Sequence, residues 1–188
     1  MNTNLPQALT AFCLLLTISS FGQSDPKLLD ILPTKDGKVY YSEVVQIDST
    51  DKSKLYTKAK KWFVDQYKSA KDVIQLDDKE NGEIIGKGYF ETQWQANFMT
   101  MQKVNVWHTV KVSVKDNKYR YEISNFELKW HTAPSKYSSG GNTEVLIEDF
   151  WKNRESNAKK YFAKVDTEVK SIISSLERFM KAPIGDDW

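Results

Sequence analysis

Cysteine is almost missing from this chain. The one thiol, Cys13, lies in an uncharged N-terminal stretch, so the rest of the chain has no disulfide, thiolate metal ligand or cysteine nucleophile. Histidine is scarce as well, with only His108 and His131. A histidine-based metal site would need both, with carboxylates beside them. No Gly-x-Ser-x-Gly, phosphate loop or His-Glu-x-x-His occurs. Charge of one sign is also lacking. The formal net charge is +2, and Lys and Arg are spread along the chain without a basic cluster. That argues against a nucleic-acid binder. These absences leave no catalytic residues, no metal and no cofactor to expect.

Charge is wholly absent before Asp25. Leu9 to Phe21 is an apolar run too short to span a bilayer as a helix. Small residues, Ser20 and Gly22, flank Phe21 in the arrangement of a cleavage site after Gly22. Residues 1–22 are therefore read as a secretory signal peptide, although no Lys or Arg precedes the apolar run. The protein is expected to be exported, periplasmic or secreted, with no integral membrane span after signal removal. Phe12 stands directly before Cys13 and apolar residues continue past it, which does not suit a lipoprotein cysteine. Residues 23–37 form a lead-in, 38–182 a single domain, and 183–188 a tail.

What is present points to a sheet. From Val104 to Lys115 the even positions are Val104, Val106, His108, Val110, Val112 and Val114, and the odd positions are polar or Trp107. Period-two alternation of that length is a strand with one buried face. Each buried valine is worth roughly 1.5–3 kcal/mol before entropy is subtracted. The six Trp, nine Tyr and nine Phe either fill a core or line a binding surface.

Asp36-Gly37 predicts a turn, and Lys38 to Ile47 a strand in which Glu43 interrupts the apolar side. Glu43 suits a position near an edge, where it snorkels or pairs with a lysine; a buried functional carboxylate is the alternative. Asp48 to Asp51 can cap a helix running to about Tyr67. Leu55, Ala59, Trp62, Phe63 and Tyr67 share one of its faces, while Lys52, Lys54, Lys58, Lys60 and Lys61 fall mostly on the other and read as solvated. Val73 to Leu76 is a short strand. Asn81-Gly82 marks a hairpin tip with a type I′ turn. As a calcium loop the same region fails, because Lys79 and Gly88 stand where oxygen ligands are required. Ile84 to Glu91 is a strand in which Gly86 and Gly88 leave inward room for a bulky helix residue such as Trp62 or Phe63. Gln95 to Lys103 either lengthens two strands into a long hairpin or forms a flap.

After a turn at Asp116-Asn117, apolar positions run Tyr119, Tyr121, Ile123 and then Phe126, Leu128, Trp130. That slip predicts a bulge at Ser124-Asn125. His131 to Asn142 reads as a polar loop and Glu144 to Trp151 as a short helix. Ser156 or Asn157 then caps a long helix to about Lys181, stopped by Pro183. Its stripe of Phe162, Val165, Val169, Ile172, Leu176 and Phe179 suits packing on a sheet or a coiled-coil seam. The fold class is α+β: an antiparallel sheet of about five strands with helices on one face.

Four segments together resemble one family. They are Leu32-Pro33 with Lys38 to Val45; Leu55-Tyr56 with Ala59-Lys60 and Trp62-Phe63; Asp72 to Asp78; and Gly82 to Gly88. The chain resembles domain of unknown function 4468, a family of exported bacterial proteins described as having a TATA-binding-protein-like fold. The resemblance implies a β-α-β-β-β-β-α order and supplies no catalytic or binding residues.

If helices cover the valine face, the opposite face carries Lys87, Tyr89, Glu91, Trp107, Thr109, Lys111, Arg120 and Glu122. Aromatics ringed by mixed charges suit a protein or small-ligand surface; alternatively Tyr89 and Trp107 merely stack across strands. The expectation is a non-catalytic, exported binding or interaction module of the cell envelope. Self-assembly through the C-terminal helix is the alternative, and a hydrolytic enzyme the weakest reading. His108 is expected to be buried, neutral and titrating below a free imidazole.

Overall fold

The computed structural model describes residues 31–67, 73–97, 100–136, 139–150 and 155–183. The expected signal peptide with Cys13, the first part of the lead-in, and residues 184–188 lie outside the described residues. So do Phe98 and Met99, and Trp151.

A small hairpin opens the fold, with β1 (Thr34–Lys35) paired to β2 (Lys38–Val39). Asp36 and Gly37 both take positive φ, as the expected turn requires. Then come β3 (Tyr41–Gln46), α1 (Lys52–Tyr67), β4 (Ile74–Asp78), β5 (Glu83–Asn97), β6 (Thr100–Lys115) and β7 (Lys118–Thr132). The chain closes with β8 (Gly141–Leu146), α2 (Ile147–Phe150) and α3 (Glu155–Lys181). The expected β-α-β-β-β-β-α order is present, with β8 and α2 inserted before the last helix.

The sheet has six antiparallel strands, not about five. Its order is β3-β7-β6-β5-β4, and β8 pairs the far half of β7 beyond β3. The expected helix over Glu144 to Trp151 is thereby corrected, since Glu144 to Leu146 belong to β8. The reason is register: Val145 lies opposite Leu128 and Glu144 opposite Lys129, so β7 supplies ladder partners that a local pattern does not reveal. Gln95 to Lys103 lengthens the β5–β6 hairpin, with Gln95 opposite Met101. The Asn81-Gly82 tip is also corrected. The connection runs over Lys79 to Gly82, and only Gly82 has positive φ. Asp78 accepts from the Asn81 backbone at 2.9 Å and its side-chain amide at 2.7 Å, an arrangement that favours this longer turn.

Helix α1 is fixed at its N-terminus by two carboxylates. Asp51 accepts from the backbone N–H of Lys54 at 2.8 Å, and Asp116 from that of Lys52 at 2.7 Å. The β6–β7 turn therefore helps to cap α1. Helix α3 spans Glu155–Lys181 among the described residues, so Ser156 and Asn157 sit within it rather than before it.

One hydrophobic cluster runs from Leu32 to Met180. Val104, Val106, Val110, Val112 and Val114 are buried beneath Leu55, Ala59, Trp62 and Phe63 of α1 and Phe162, Val165, Val169 and Leu176 of α3. The stripe of α3 is thus spent on the sheet and offers no coiled-coil seam. Phe63 fills the space beside Gly86, 2.6 Å from where a Cβ would sit. Tyr67, rather than Trp62, occupies the space beside Gly88. Lys58 departs from its expected solvated face. It is buried, and its ammonium donates to the carbonyls of Met180 at 2.8 Å and Ala182 at 2.5 Å.

Candidate functional site

The face of the sheet turned away from the helices is built by strand alternation. On β5 it carries Glu83, Ile85, Lys87, Tyr89 and Glu91; on β6 Asn105, Trp107, Thr109, Lys111 and Ser113; on β7 Arg120 and Glu122. All eight residues expected on this face lie on it. The bulge is where the slip in pattern placed it. Trp107 pairs Glu127 and Thr109 pairs Ser124, leaving Asn125 and Phe126 opposite His108 alone. Asn125 takes φ +55°. Past it, Phe126 and Leu128 turn inward and Glu127 and Lys129 outward.

Tyr89 and Trp107 are cross-strand partners, and their rings meet at 4.8 Å between centroids with a 37° tilt. Stacking does not hide them: Tyr89 remains 46% exposed and Trp107 half-buried. The Lys129 ammonium sits 5.8 Å from the Trp107 ring. A cation there is drawn to the negative face of the indole.

Charges surrounding the pair are mostly matched. Lys87 reaches Glu127 at 3.2 Å, and Lys129 bridges Glu127 at 3.2 Å and Glu144 at 2.9 Å. Lys111 meets Glu83 at 2.7 Å, and Arg120 lies 3.8 Å from Glu122. The Tyr40 hydroxyl also donates to Glu122, at 2.5 Å. Burial acts to raise the Glu127 pKa, but the Lys129 and Lys87 ammoniums outweigh it and hold the group below its usual range. Hydrogen bonding to Glu144, then to Glu127, raises that of Lys129. Burial and the Glu122 carboxylate raise that of Tyr40.

Sequence reading missed Glu127, Lys129 and Glu144. The first two follow from the bulge, which moves odd positions outward; Glu144 was hidden by the mistaken helix. Glu43, at the sheet edge as expected, accepts from the Tyr121 hydroxyl at 3.1 Å rather than pairing with a lysine. The histidines are not brought together. His108 is enclosed by Tyr67, Phe90 and Phe126, whereas His131 is exposed and bonded to Asn142 at 2.8 Å. Among the described residues no group of three or more His, Cys, Asp or Glu is placed to hold a metal ion.

The six-stranded layer with helices on one face, and its β-α-β-β-β-β-α core order, can be set against known proteins. Residues 41–129 match a family model, the domain of unknown function (DUF4468) with TBP-like fold. The resemblance carried by the four N-terminal segments is thereby shown. The DUF4468 match includes all eight expected face residues and the bulge, but not β8 or α3. A crystal structure of a DUF4468 family protein from Bacteroides ovatus superposes with a TM-score of 0.61 at 17% identity, covering 81% of this chain and 92% of that one. A TBP-like protein from Parabacteroides distasonis gives 0.54 at 18% identity, covering 78% and 97%. At such identities the likeness concerns the fold alone. No curated protein matches the chain.

Proposed function

We propose that this protein is a non-catalytic binding module exported to the bacterial cell envelope, engaging a protein or small ligand through the open face of its sheet. The supporting observation is the Tyr89–Trp107 pair, two aromatics in contact across strands, Tyr89 exposed and Trp107 half-buried, on the helix-free face of the antiparallel layer. Large aromatic surface of that kind, rimmed by charge, is how interfaces supply contact area at low entropic cost. The rim is self-neutralised by Lys87–Glu127–Lys129–Glu144 and Lys111–Glu83. That argues against a phosphate backbone as ligand, since the cations are already engaged. Export rests on the uncharged apolar leader ending near Gly22. No helix among the described residues is long and apolar enough to cross a membrane.

The test replaces Tyr89 and Trp107 together by Ala. The double variant keeps its cooperative melt and fails to capture the partner that the unaltered chain draws from native envelope extract. Unchanged capture, or a variant that no longer folds, would remove the reading. N-terminal sequencing of the exported protein checks the leader, with Gln23 the expected first residue.

A further inference from the structure

The β6–β7 turn gathers three cations at one end of the open face. Lys115 and Lys118 flank the turn and are cross-strand partners. Arg120 pairs Ser113 of β6 on one side and Val44 of β3 on the other. Alternation puts all five residues on the helix-free side, where they line a recess of about 240 Å³.

This arrangement does nothing for the fold, because like charges directly opposite one another on a sheet are destabilising. Neither lysine ammonium is paired with a carboxylate among the described residues. The acids beside the recess are engaged elsewhere. Asp116, in the turn, accepts from the Lys52 backbone N–H at 2.7 Å. Glu83 meets Lys111 at 2.7 Å and accepts from the Ser113 hydroxyl only at 3.4 Å. Glu122 accepts from the Tyr40 hydroxyl at 2.5 Å and lies 3.8 Å from Arg120. Toward Trp107, Lys111 and Lys87 each have an acid. A long anionic chain leaving the recess in that direction would meet no free cations, so the site suits a small anion.

We propose that this recess binds the phosphoryl group of a small, soluble phosphate monoester, held by Lys115, Lys118 and Arg120. Such a group carries a charge of about −1.5 to −2 at pH 7, which the two unmatched ammoniums neutralise. Arg120 adds a planar fork of donors that fits phosphate oxygens. The Ser113 hydroxyl can turn to the ligand at the loss of only a long bond to Glu83. Val44, 53% exposed, offers an apolar wall to the organic part of the ester. The recess lies about 20 Å from Trp107 along β6. It stands apart from the Tyr89–Trp107 reading, and either can fail without the other.

The experiment titrates the full chain with phenyl phosphate and follows backbone amides by NMR. Expected are saturable shifts at Val44, Ser113, Lys115, Lys118 and Arg120, with Tyr89 and Trp107 unmoved. Benzenesulfonate, of the same shape but a single charge, binds at least fivefold more weakly. Lys115→Gln with Lys118→Gln weakens phenyl phosphate binding at least tenfold. Lys118→Glu abolishes binding and raises the melting temperature, because an opposed cation pair becomes an ion pair. Absence of saturable shifts overturns the proposal, as does unchanged binding by either variant or equal binding of benzenesulfonate. Capture by phosphatidic acid vesicles without binding of phenyl phosphate also overturns it, since the surface would then serve a membrane.

Discussion

The hydroxyl of Tyr67 lies 2.8 Å from Nε2 of His108, beneath α1 and against the inner face of the sheet. Nδ1 of His108 is 3.2 Å from the Val106 carbonyl. A carbonyl only accepts, so Nδ1 carries the proton and Nε2 accepts from Tyr67. The ring is neutral, fully bonded and walled by Phe90 and Phe126. Burial pushes its pKa down to about 4, against a weaker opposing effect of the Val106 bond.

That depression gives the protein a pH dependence of known sign. Below the ordinary imidazole range the unfolded chain takes up a proton that the folded one refuses, so stability falls as pH falls. The loss begins near pH 6.5 and is complete near the folded value of about 4. It amounts to about 3 kcal/mol from His108 alone. Urea unfolding at intervals across that window checks it, and His108→Leu should flatten the part of the slope that His108 causes.

Gly88 faces the same tyrosine. A Cβ there runs into the Tyr67 ring, which is pinned by its bond to His108 and by stacking with Phe63. Gly88→Ala is expected to cost about 1–3 kcal/mol as overpacking. Thermal melts should show a smaller loss when the substitution is made in a Tyr67→Leu background.

Lys58 closes the far end of α3. Its ammonium satisfies the carbonyls of Met180 and Ala182, which no further helical turn would reach. Burial lowers its pKa, yet the two carbonyls hold it in place. Lys58→Met keeps most of the volume and removes the donor, leaving the buried Met180 carbonyl unmet at a cost of about 1–3 kcal/mol. Hydrogen exchange should quicken in the last turn of α3 and stay unchanged in β6.

Asn125 holds the bulge in the left-handed region at φ +55°. Asparagine tolerates that conformation, and a β-branched residue does not. Asn125→Val is expected to destabilise by about 1–2 kcal/mol, and Asn125→Gly to be nearly neutral. Equal melting temperatures for the two variants would show that the bulge does not depend on this residue.

Much of the inner face could be read directly. The valines of β6, the inward glycines of β5, and the slip between Ile123 and Phe126 are local regularities, and each found its place. Lys58 could not be read, because its partners lie on a helix more than a hundred residues away. Strand β8 could not either: Thr143 to Leu146 became a strand because half of β7 lay beyond the reach of β3 and needed a partner.

Sequence alone determined the two periodicities, and through them which side chains are hidden and that the layer is covered on one side. Alternation and helical spacing act between near neighbours, so they survive without knowledge of the fold. Only the tertiary structure decided who stands beside whom: Tyr89 against Trp107, Lys129 between two glutamates, and β8 beside the far half of β7. Those relations depend on register and on strand lengths, and both are set by hydrogen bonding between segments distant in the chain.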